Sequence, residues 1–212
     1  VNKKHTSNEF IRPPHCPILL ASKMQMPRIQ PHIIERQRLM RKLNQETKGK
    51  LTCVAAPAGF GKTTAVGEWL RSKGLPAGWV SLDSADNNLI RFWDYLTAAL
   101  NHIVPGITKK VLPNLYSEKT PDMGMIVTQL IDHICSFSEE FVLILDDYHV
   151  IHQASIHESL GFFIKNAPNN VHIIIISRMP LPMYLFQLRL KGQLTEISGE
   201  DLRFTFNEAC EF

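Results

Sequence analysis

The stretch from Leu51 to Gly74 constrains this chain more than any other. A short apolar run, Leu51–Ala55, leads into Ala56-Pro-Ala-Gly-Phe-Gly-Lys-Thr63. Residues 63–73 then carry Val66, Trp69 and Leu70 at helical spacing, and Gly74 is a natural stop. The octapeptide follows the phosphate-loop pattern GxxxxGK(S/T), with Ala56 where the first glycine usually stands. Gly59 and Gly61 let the backbone bend so that several N–H groups face one anion. The helix that follows adds the partial positive charge of its N-terminus. Residues Pro57, Ala58, Gly59, Phe60, Gly61, Lys62, Thr63 and Thr64 are therefore the expected nucleotide-binding loop. Lys62 is the point charge for the β- and γ-phosphates, and Thr63 is a hydroxyl ligand for Mg²⁺. Ala56 is harmless there if its backbone is ordinary strand, and costly if a positive φ is required.

Strands and helices alternate after the loop. Strands are read at 78–82, 141–145, 171–176 and 194–197. Helices are read at 88–104, 122–137 and 156–167, with a short amphipathic one at 35–46. Phe141–Leu145 and Val171–Ile176 are apolar almost throughout rather than at every second position. Such strands are buried on both faces, which requires a parallel sheet between helical layers. The predicted fold is a three-layer α/β domain with a mostly parallel five-stranded sheet, preceded by an extended arm.

Two further strand ends carry chemistry. Phe141-Val-Leu-Ile-Leu-Asp-Asp147 ends in paired carboxylates, and ligands of open α/β sheets bind at the carboxyl ends of strands. Asp146 is assigned to Mg²⁺ with Thr63, and Asp147 to orienting or deprotonating the attacking water. Ser177-Arg178 follows the next apolar strand, so Arg178 is the candidate for reaching a γ-phosphate. For His149, a packing or surface role is favoured over proton relay. Asp86 and Asn87 are read as N-cap residues of the helix beginning at 88.

Charge narrows the partners. Residues 1–42 hold nine Lys or Arg against Glu9 and Glu35, a local +7, while the whole chain is only +3 and the remainder therefore −4. The basic residues are scattered, so the arm reads as solvated, and the chain lacks the overall charge of a nucleic-acid-binding protein. Cys16, Cys53, Cys135 and Cys210 form neither a CxxC pair nor a zinc pattern, which suits a reducing, cytoplasmic setting. The longest apolar runs are too short to span a bilayer, so no membrane partner is expected.

The segments PAGFGKTT, LDDYH, VHIIIISR and LRFT occur in this order. In this the chain resembles the large ATP-binding LuxR-type transcriptional regulators typified by the maltose-regulon activator, whose nucleotide domain is a STAND-class ATPase. The resemblance covers roughly residues 24–212. It implies an ATP- and Mg²⁺-dependent switch in which an inducer and ATP together drive self-association and hydrolysis to ADP resets it. It also implies that the Arg178 strand lies between the phosphate-loop strand and the acidic strand. Ile33, Ile34 and Arg36 would lie near the adenine. The expected organisation is a basic arm over 1–34, an ATP-binding domain over 35–200, and the start of a truncated helical domain over 201–212. The sensor and helix-turn-helix domains would lie outside this fragment, so it should not bind DNA sequence-specifically. The alternatives are a nucleotide-binding remnant without useful hydrolysis and a small-molecule kinase.

Overall fold

The computed structural model describes residues 16–28, 36–46, 49–117, 120–180 and 186–210. The elements, in order, are α1 (Gln37–Glu46), β1 (Leu51–Ala55), α2 (Lys62–Lys73), β2 (Ala77–Ser81), α3 (Leu89–Asn101), α4 (Ile107–Leu115) and α5 (Met123–Cys135). They continue with β3 (Phe141–Asp146), α6 (Ala154–Asn166), β4 (Val171–Ser177), α7 (Phe186–Leu190), β5 (Leu194–Ile197), α8 (Gly199–Leu202) and α9 (Phe206–Cys210).

The five strands form one sheet in the order β2-β3-β4-β1-β5, and every pairing is parallel. The Arg178 strand, β4, thus lies between the phosphate-loop strand β1 and the acidic strand β3. Every residue of β3 and β4 is buried. Side chains alternate across the sheet, so Leu143, Leu145, Ile173 and Ile175 pack under α3 to α6, while Val142, Ile144, Ile174 and Ile176 pack with Trp69 and Leu39 under α1 and α2. Two apolar layers on one sheet are what continuous apolar strands require.

Three local expectations are corrected. The long helix α3 is capped by Asn88, whose side chain accepts from Arg91 N–H, and not by Asp86 or Asn87. Asp86 instead closes a capping box on the short turn Ser84–Asp86. The sequence periodicity predicts no element between residues 104 and 122, yet α4 lies there, burying Ile107, Val111, Leu112 and Leu115. Pro113 and Gly106 hide it from a periodicity reading, and tertiary burial overrides them. The arm is not simply solvated either. Ala21–Met24 forms one 3-10 turn against β2, and Lys23 is buried. Its other expected features, among them Lys3, Lys4, Arg12, Ile33 and Ile34, lie outside the described residues. Residue 201, the expected start of the next domain, falls inside α8.

Candidate nucleotide-binding site

β1 delivers Ala56 into the core, where it is 4% exposed. Its N–H donates to Ser177 O at 3.3 Å, so the loop starts as a continuation of the sheet. Among the described residues, Asp147 is the one non-glycine with positive φ, so Ala56 fits without strain. Gly59 and Gly61 do take left-handed backbone, with φ of 83° and 70°. A Cβ at either would meet nothing within 4 Å, so the backbone angle and not crowding calls for glycine. Gly61 is the N-cap of α2 and supplies no side-chain acceptor, leaving the first N–H groups of that helix directed out of its end.

Lys62 is buried and folds back on the loop: Nζ donates to Ala56 O at 2.8 Å and to Pro57 O at 2.9 Å. Burial pulls its pKa below the usual lysine value, against the raising effect of Asp147 and Asp146. Thr63, one residue on, donates its hydroxyl to Asp146 Oδ2 at 3.0 Å. Asp146 is 4% exposed, and burial pushes its carboxyl up to about 6 despite the Thr63 bond. Asp147 N–H donates to Asp146 Oδ1 at 2.9 Å. Asp147 itself sits at φ 56°, in left-handed backbone.

Arg178 Nε lies 4.0 Å from Asp147 Oδ1, and the arginine side chain is about half exposed. His149 approaches the same carboxylate, with Nδ1 3.7 Å from Asp147 Oδ1. That nitrogen is buried without a hydrogen bond, and burial lowers the imidazole pKa. His149 therefore lies beside the Asp147 carboxylate while its ring is largely buried. The structure brings Lys62, Thr63, Asp146, Asp147 and Arg178 to one end of the sheet. Pro57, Ala58 and Gly59 are exposed on the loop, and Phe60 packs near Gly199.

Beside the loop opens a cavity of about 350 Å³ lined by Gly61, Thr64, Glu68, Arg36, Leu202 and Phe204, among others. Arg36 donates to Leu202 O and lies over the Phe204 ring, 4.6 Å from its centroid. Its buried Nε has no hydrogen-bond partner, and burial lowers the guanidinium pKa. Arg38 donates to Asp201 O at 2.8 Å, and Lys42 pairs with Asp201 at 2.7 Å. Asp201 is thus clipped onto α1, and the residues that follow it, Leu202, Arg203 and Phe204, line the cavity. Glu68 stands four residues after Thr64, a spacing that puts both on one helix face and was readable. Phe204 belongs to the LRFT segment, but its place against Arg36, 168 residues away, depends on tertiary packing.

Solved structures with this architecture exist. A Walker-type ATPase of Pyrococcus abyssi matches with TM-score 0.51 and 13% identity, over 86% of this chain and 57% of its own. The fold is that of a P-loop NTPase. The ORC1 protein of Aeropyrum pernix, solved in complex with DNA, matches with TM-score 0.52 and 15% identity over 82% of this chain and 46% of its own. Cdc6p of Pyrobaculum aerophilum matches with TM-score 0.52 and 12% identity over 84% and 49%. This chain therefore spans about half the length of the P-loop proteins it matches. No protein-family model matches the chain. Among the described residues, no helix is long and apolar enough to cross a membrane.

Proposed function

We propose that this P-loop domain binds ATP with Mg²⁺ and hydrolyses it slowly, as the nucleotide switch of a STAND-class, LuxR-type regulator. The meeting of Lys62, Thr63, Asp146 and Asp147 at the carboxyl ends of β1 and β3 carries the reading. The residues suit the ligand. Lys62 holds two loop carbonyls that phosphate oxygens can replace, and the open glycine side of the loop leaves room for them. Thr63 and Asp146 bring hard oxygens together, and Mg²⁺ sites need only one or two such protein ligands beside phosphates and waters. Bound Mg²⁺ would neutralise phosphate charge. Asp147 orients the attacking water, and Arg178 reports the γ-phosphate. The Arg36 cavity takes the base, with the orphaned Nε donating to a ring nitrogen. The regulator assignment rests on the ordered motifs PAGFGKTT, LDDYH and LRFT, and self-association belongs to the larger protein.

Calorimetric titration with ATP and ADP, with and without Mg²⁺, alongside phosphate release, tests this. Mg²⁺-dependent ATP binding and release above a Lys62→Ala background are expected. Binding without release favours the alternative of a binding module, and phosphate found on an added acceptor favours a kinase. No binding of either nucleotide overturns all three.

A further inference from the structure

A second polar cluster lies beside the acidic loop and is not used by the site described above. Its centre is Asp86, which is fully buried. Asp86 Oδ1 accepts from Arg91 Nε at 2.9 Å, and Oδ2 accepts from Asp83 N–H at 2.9 Å and from Lys23 Nζ. Lys23 comes from the segment preceding the domain and also reaches Asp83 at 3.0 Å. The same segment is tied down by Leu20 N–H, which donates to Tyr95 OH at 3.1 Å, and by Lys23 over the Tyr95 ring at 4.6 Å. A lysine and an aspartate are buried together only when paired, so segment 16–28 is docked by a specific contact.

The residue after Asp86 continues the connection. Asn87 Oδ1 accepts from His152 N–H and Gln153 N–H, both at 2.9 Å, across 65 and 66 residues of sequence. Those two amides end the short stretch that begins at Asp147. One 3-10 turn, Tyr148–Val150, separates them, closed by Val150 N–H to Asp147 O at 3.2 Å and Ile151 N–H to Tyr148 O at 3.1 Å. Gln153 caps α6 without a side-chain bond of its own, so Asn87 supplies an acceptor that the local sequence does not.

We propose that segment 16–28 is a strap that positions Asp147, acting through Lys23, Asp86 and Asn87 on the backbone at residues 152–153. These are positioning residues, and the inference rests on the reading of Asp147 as the water-orienting carboxylate. A carboxylate held in left-handed backbone needs its flanks fixed, because a displacement of about 1 Å can cost on the order of 100-fold in rate. The strap supplies that fixing from outside the acidic loop, and it also covers β2, which would otherwise be a bare sheet edge.

The test uses the whole chain as Asn87→Ala, Asn87→Asp and Lys23→Met, with hydrogen–deuterium exchange, ATP affinity and phosphate release on each. Asn87→Ala is expected to speed exchange at residues 152–153 by about tenfold and slow turnover by about tenfold, with ATP affinity within about twofold. Asn87→Asp keeps the acceptor oxygen and restores both. Lys23→Met reproduces the faster exchange at 150–153. Unchanged exchange at 152–153 in Asn87→Ala, or faster exchange with unchanged turnover, overturns the positioning role. A change confined to residues 16–28 in Lys23→Met overturns the strap. Should Lys23→Met fail to fold, Tyr95→Phe, which removes the acceptor of Leu20 N–H, takes its place as the strap variant with the same expected and overturning results. A wild type that binds ATP without turnover sinks the hydrolysis reading, and the exchange results then decide the strap by themselves.

Discussion

Thr63 and Asp146, 83 residues apart in sequence, share a hydrogen bond of 3.0 Å that ties the start of α2 to the end of β3. Both oxygens are the ligands assigned to Mg²⁺. Each keeps the other in place when no cation is between them, and the acid is nearly buried.

Burial raises the Asp146 pKa from 3.8 to about 6, and this has a definite sign. The folded value is the higher one, so the contribution of this group to stability is fully present below 3.8 and is lost as pH rises through 6. At pH 7.5 the ionised, buried carboxylate is a liability of up to about 3 kcal/mol. Asp146→Asn should therefore stabilise the Mg²⁺-free protein at pH 7.5 and have little effect near pH 4. Urea midpoints at the two pH values check this; equal effects at both would refute the linkage.

Protons and Mg²⁺ compete for the same carboxylate. Apparent Mg²⁺ affinity in the presence of ATP should fall by up to about tenfold per unit as pH drops below 6. Titrations at pH 5, 6 and 7.5 read it, and a flat profile would remove Asp146 from the metal site.

Lys62→Ala should weaken ATP binding by about 100-fold, since a charge-assisted phosphate contact is lost in a buried setting. Stability should change less, because the free protein loses only two hydrogen bonds to the Ala56 and Pro57 carbonyls together with the cost of burying the ammonium. Titration of a fluorescent ATP analogue and a thermal melt on one sample separate the two. Equal affinity for mutant and wild type would end the phosphate-loop assignment.

Asp147 occupies left-handed backbone, which Asn adopts readily and Ala does not. Asp147→Asn should leave stability and Mg²⁺-dependent ATP binding nearly unchanged and slow phosphate release. Asp147→Ala should cost about 1 kcal/mol of stability as well. If Asp147→Asn instead abolishes metal-dependent binding, the roles of Asp146 and Asp147 are exchanged.

Arg178 shares Asp147 Oδ1 with His149, at 4.0 and 3.7 Å. Arg178→Ala should narrow the affinity difference between ATP and ADP, because the γ-phosphate loses its distal cation. Calorimetry with both nucleotides reads the ratio, and an unchanged ratio makes Arg178 structural.

The elements that bind chemistry were legible because their signals are local. The phosphate loop is written in eight consecutive residues, and β3 and β4 announce double-sided burial in their own composition. What was missed depended on contacts between distant segments. α4 is held by burial that outweighs Pro113, and Asn87 faces a loop 65 residues away instead of capping its neighbouring helix.

By itself the sequence determined the parallel α/β architecture and its phosphate-loop turn, and it singled out Lys62, Thr63, Asp146, Asp147 and Arg178 as candidates, because backbone conformation and burial periodicity are dictated over a few residues. Tertiary structure alone decided that Thr63 meets Asp146, that His149 and Arg178 flank one carboxylate, that residues 202–204 line the Arg36 cavity, and that Lys23 is buried against Asp86. The physical reason is that desolvation and pairing of charged groups depend on which surfaces the packed sheet brings within a few ångströms, and no local pattern encodes that.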